Sequence, residues 1–191
     1  FMAAVDTFDG DVIGRGGHGA YPHEALDPIW LAAQVINAIH GMISRRKDPT
    51  KSGLISVTII NAGTANNIIP ESVHLAGTIR SFEPDVRDQL HSDLEKCFAI
   101  TRAFGGDYKL KLLKGYPTTV NDAKMSEFVR AMASELIGAE HVKEARMQMG
   151  AEDFSFMARA KPGAFFNLGA KKDDVHRPHH NPAFDIDEGA L

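Results

Sequence analysis

The 191-residue chain has one cysteine, Cys97. No disulfide can close within it, which excludes the disulfide-stapled secreted class and points to a cytoplasmic protein. No run approaches the roughly 18 consecutive apolar residues of a membrane span. The opening residues, FMAAVDTFDGD, have neither the basic start nor the apolar stretch of a secretory signal. Excess charge of one sign is also missing. Against 25 acidic residues stand 21 basic ones, with no basic stripe, which argues against a nucleic-acid partner. The glycine-rich RGGHG lacks the spacing of either nucleotide-binding loop, GxGxxG or GxxxxGK[ST]. There is no internal repeat and no low-complexity tract.

What is present is enough apolar material, 43% of residues, to fill the core of one domain or two small ones. Residues 5–14, VDTFDGDVIG, alternate loosely as a strand does. Asp27-Pro28 then opens a helix pattern through Leu31, Val35, Ile39 and Met42, with Arg45, Arg46 and Lys47 at its far end. LISVTII (54–60) and VHLAGTIR (73–80) read as strands rich in β-branched residues. A helix over 85–104 and a strand over 108–114 follow. The order β-α-β-β-α-β predicts a ferredoxin-like unit, an antiparallel sheet with two helices on one face, over residues 4–115.

After Gly115 the pattern changes. A helix is expected over 123–137, a short helix near MQMGAEDFSFMARA, and a strand at GAFFNLGA. Two helices and one strand cannot bury their apolar faces alone. The segment 116–191 is therefore expected to pack against another that the chain does not contain. The start without methionine and the end at FDIDEGAL both read as cuts through a longer protein.

Several residue groups carry chemistry, each with a plainer alternative. His176, His179 and His180 lie within five positions and suit a metal ion, or form a polar surface loop. Glu152 and Asp153 precede a helix pattern and either cap it or line a site. Asn66 and Asn67 suit a turn. Arg80 ends a strand, where a guanidinium fork can hold a carboxylate. His18 sits among Gly16, Gly17 and Gly19, in a tight turn or a binding loop.

In combination, GRGGHGAYPHEALDP, NAGTANNIIPE, LAGTIRSF, YPTTVND, GAEDFSFM and HHNPAFDIDE resemble the M20 metallopeptidase family. The likeness is to its branch of hippurate hydrolases, N-acyl-amino-acid deacylases and auxin-conjugate hydrolases, and it covers essentially the whole chain. It implies an α/β (α+β) architecture: a ferredoxin-like lid at 4–115 that often makes a homodimer contact, then the C-terminal portion of the catalytic domain at 116–191. The N-terminal portion, which supplies most metal ligands and the glutamate base, is absent from this sequence. By the same resemblance His18 stabilises the oxyanion, commonly in the partner subunit's site. Asn67 lies near the substrate with Asn66 beside it, and Arg80 contacts the substrate carboxylate. His180 is a metal ligand, His179 its looser neighbour, and Glu152 and Asp153 wall the pocket. The implied reaction is hydrolysis of an N-acyl amino acid by two divalent ions (zinc, manganese, nickel or cobalt), with this fragment alone inactive. A non-catalytic dimerisation or ligand-binding module and a metallodipeptidase are the alternatives.

Overall fold

A computed structural model describes residues 1–172, 175, 177 and 180–190. Four strands form an antiparallel sheet: β1 (Ala4–Ile13), β3 (Gly53–Ala62), β5 (Ser72–Ser81) and β6 (Asp107–Lys114), in the order β3-β5-β1-β6. Between Ile13 and Gly53 run a two-residue strand β2 (Gly17–His18) and helix α1 (Pro28–Arg46). A matching short strand β4 (Ile68–Ile69) precedes β5, and helix α2 (Pro84–Ala103) links β5 to β6.

Alternation in β1 decides which face is covered. Phe8 and Val12 are buried and Asp9 is exposed, so even-numbered positions face the helices. Leu31, Val35 and Ile39 of α1 and Leu90, Leu94 and Phe98 of α2 close over that face. Phe8 and Phe98 meet edge to face at 6.2 Å between ring centres. Asp27 caps α1, its Oδ1 accepting from the Ile29 amide at 2.8 Å, and Pro28 occupies the first turn, where no amide partner is needed. Thr58 bulges out of the β3–β5 ladder, and beyond it Ile59 and Ile60 are exposed on an edge strand.

The remainder holds α3 (Ala123–Ile137) and α4 (Phe154–Ala160). Asp122 caps α3 through its side chain, and Gly138, at φ 89°, ends it. Backbone bonds tie this part to the residues just before β1: Met2 pairs with Thr119, and the Ala3 amide donates to the carbonyls of Gln148 and Gly150, both at 3.0 Å. GAFFNLGA, expected as a strand, is not one. Among the described residues no strand pairs with it. Instead the Asn121 side chain stands in for one, donating to Phe165 O at 2.8 Å and accepting from Phe165 N at 2.9 Å. No residue of α3 is buried. Among the described residues no helix is long and apolar enough to cross a membrane.

Candidate functional site

The loop RGGHGAYPHEA leaves the sheet after Ile13 and returns at Leu26. Its ends are fastened by a reciprocal pair: Arg15 N donates to Leu26 O at 2.8 Å and Leu26 N to Arg15 O at 2.9 Å. Within it, Gly17 and His18 pair antiparallel with Ile69 and Ile68. The Gly19 amide extends the ribbon, donating to Asn67 O at 2.8 Å. The glycines are needed for that approach. A Cβ on Gly16 would stand 2.9 Å from Ile69 O, and one on Gly19 would stand 3.1 Å from Asn67 O.

His18 and Asn67, 49 positions apart in sequence, are thereby brought together on one small ribbon, with Asn66 next to them. All three side chains are exposed or nearly so. The His18 ring lies 5.4 Å from that of Tyr21, and its Nδ1 accepts from the Ala20 amide at 3.1 Å. His23, in a one-turn helix at Pro22–Glu24, is exposed and faces the Tyr21 ring edge to face.

Arg80 lies elsewhere. The ribbon continues through Pro70 and Glu71 into the first residue of β5, whereas Arg80 is next to the last. Arg80 is eight residue steps along the strand from Ser72, about 27 Å at roughly 3.4 Å per step. Arg80 Nε donates to Thr78 Oγ1 at 3.2 Å and Nη1 to Met149 O at 3.4 Å. That second bond sets it beside the loop that carries Glu152 and Asp153. Asp153 occupies the N-terminal boundary of α4 but makes no side-chain capping bond. Of the two readings of this acidic pair, a side-chain helix cap is therefore not what Asp153 provides. The chain thus carries two separate groups, His18 with Asn67 at one end of the sheet and Arg80, bonded to Met149 O, at the other.

His180 is exposed, with a left-handed backbone (φ 61°). His176 and His179 lie outside the described residues. Among the described residues no three His, Cys, Asp or Glu side chains converge as a metal site requires. Among the described residues, the donors present do not by themselves make a dinuclear centre.

A family model for peptidase family M20/M25/M40 matches residues 2–190. Thermostable carboxypeptidase 1 of Saccharolobus solfataricus is 37% identical over the whole chain, which covers 49% of that protein. N-acetyl-L-cysteine deacetylase of Bacillus subtilis is 36% identical, again over the whole chain, which covers 45% of it. An IAA-amino acid hydrolase of Arabidopsis thaliana is 32% identical, with 45% covered. Among solved structures, a dinuclear metal-binding peptidase of the M20 family from Bacillus subtilis superposes with a TM-score of 0.75 at 26% identity. The match takes in all of this chain and 46% of that one. The aminopeptidase PepT of Bacillus cereus, at 17% identity and a TM-score of 0.70 over 91% of this chain and 46% of its own, shares the fold. The chain spans about half the length of the relatives it matches. By the match along its length and by this likeness, the chain belongs to the M20/M25/M40 peptidase family.

Proposed function

We propose that residues 4–115 are a ferredoxin-like lid and residues 116–191 the C-terminal portion of the catalytic domain of an amidohydrolase that cleaves N-acyl amino acids. The observation that carries this reading is the clamped ribbon that presents His18 and Asn67 together. An imidazole on glycine-rich backbone, held by a ladder and open to solvent, suits a donor placed where negative charge develops on a carbonyl oxygen. The relatives add to it, since their names include a carboxypeptidase, an N-acetyl-L-cysteine deacetylase and an IAA-amino acid hydrolase. These point to a common substrate, an amide whose amine side is an amino acid. Arg80 then receives the amino-acid carboxylate.

Two divalent metals would polarise the amide and activate water; His180 is the one ligand assigned to them from this chain, with His179 near it. The other donors and the general base belong to a segment that this sequence does not contain. The exposed face of α3 supports such a partner segment. The separation of His18 from Arg80 supports a site completed by a second copy, one lid reaching the other subunit's pocket. The exposed β3 edge offers a two-fold pairing surface for that dimer.

The test is an N-acyl-amino-acid panel, beginning with hippurate, run on samples whose intact denatured mass is measured. A chain of 20.8 kDa is expected to show no turnover. A polypeptide of about twice that length, as its relatives have, is expected to hydrolyse the panel and to lose activity on His18→Ala. Turnover by the 20.8 kDa chain, or a full-length protein indifferent to His18→Ala, sinks the proposal.

A further inference from the structure

The turn after His18 contains a bond that determines which ring nitrogen carries hydrogen. The Tyr21 amide donates to His18 O at 2.8 Å, closing a four-residue turn. Inside that turn the Ala20 amide donates to His18 Nδ1 at 3.1 Å. A backbone amide has a hydrogen to give and no lone pair to offer. Nδ1 must therefore accept, and in the neutral ring the hydrogen then sits on Nε2. The donor is itself held in place, because the neighbouring Gly19 amide is bonded to Asn67 O across the ribbon. The Tyr21 ring flanks the imidazole, 5.4 Å away between ring centres.

We propose that the Ala20 amide is the positioning group of His18. It holds the imidazole in the Nε2–H tautomer, so the loop presents a donor and not a lone pair. This rests on the reading of His18 as the oxyanion donor. It adds the reason that this histidine can serve in that role: the ligand class it accepts at Nε2 is a carbonyl or anionic oxygen. With the hydrogen on Nδ1, the ring would turn an unshared pair towards that oxygen and repel it.

The test is nitrogen NMR of the intact 15N-labelled chain at about pH 8.5, two units above the usual histidine value. The His18 ring signals are identified by their loss in His18→Gln. The expected result is one tautomer, with Nε2 in the hydrogen-bearing range and Nδ1 in the bare range. A scalar coupling should also run from the Ala20 amide nitrogen to Nδ1 across the bond. Ala20→Pro removes the donor, so the coupling is lost and the ring nitrogens shift towards the averaged values of a mixed population. A hydrogen-bearing Nδ1, or a missing coupling in the parent chain, overturns the proposal without recourse to the proline variant. So does an Ala20→Pro chain whose His18 ring shifts match the parent's. These readouts are independent of turnover. A correct tautomer in a protein that hydrolyses no N-acyl amino acid would sink the functional reading alone, and a wrong tautomer in an active enzyme would sink this inference alone.

Discussion

Arg87 grips Asp6 with two nitrogens, Nε donating to Oδ2 at 2.8 Å and Nη2 to Oδ1. The carboxylate, 1% exposed, also accepts from the Gly115 amide at 2.9 Å and lies 2.6 Å from His91 Nε2. Three groups, two from the second long helix and one at the exit of the last sheet strand, thus meet at this side chain of the first strand. Arg87 reaches Gly115 O as well, and Gly115 and Tyr116 bond back to Val5. The cluster fixes the point at which the chain leaves the sheet for the C-terminal segment. Asp6→Asn keeps the shape but removes the charge opposite a largely buried guanidinium. It is expected to destabilise the fold by about 3–5 kcal/mol, the usual cost of removing one partner from a buried pair. Urea unfolding at neutral pH, with an unchanged slope, measures it. A loss under about 1 kcal/mol would mean that the pair is not what holds the junction.

The same carboxylate makes a pH prediction. Burial alone would raise its pKa, but the bonds from Arg87, His91 and the Gly115 amide outweigh burial and hold it well below the ordinary carboxylate range. A folded-state value below the unfolded one, about 3.9, means that the unfolded chain binds the proton more readily. The stabilisation is therefore complete above roughly pH 5 and is lost as the pH falls through the unfolded value and on towards the folded one. The stability gap between parent and Asp6→Asn should be widest near neutrality and shrink below about pH 4. Unfolding midpoints of both proteins across that range decide it. A gap that stays constant into acid would assign the effect to packing rather than charge.

The sheet and its helices are legible in the sequence because each element advertises its own period. VDTFDGDVIG alternates, and the α1 apolar positions recur every three or four residues with a capping aspartate in front. The Asp6 cluster is not legible in that way. Its partners Arg87 and His91 stand 81 and 85 positions away, and each reads as an ordinary surface charge on a helix. The ribbon that joins His18 to Asn67 is hidden for a related reason. Two-residue strands are too short to show a period, and only the glycines hint at a close approach. GAFFNLGA misleads in the opposite sense: its composition is that of a strand, but a strand needs a neighbour, and here an asparagine side chain takes the neighbour's place.

Cys97 faces into the core among Ile39, Ile55 and Leu94, beside a small void. Burial, with some help from the charge on Asp93, pushes its thiol up to about 11. The thiolate is the reactive form, so at pH 8 the native chain is expected to react with a thiol reagent at least ~100-fold more slowly than the urea-unfolded chain. Labelling should follow opening of the core and speed up in Asp6→Asn. Fast stoichiometric labelling of the native protein would contradict the packing of α1 on α2.

Phe128, Met132 and Leu136 recur every four residues along α3 and so share one face, yet all are exposed, Leu136 at 84%. In the 191-residue chain this face contacts little, so Leu136→Gln should change stability by no more than about 0.5 kcal/mol. The proposed function requires the face to be covered in the longer protein. There the same substitution should cost about 2–5 kcal/mol, the range for truncating a buried leucine, because it also places an amide where no partner waits. Unfolding curves for parent and variant in both lengths make the comparison. Equal, small effects in both would show that nothing packs on α3, and would remove the main structural support for a missing catalytic segment.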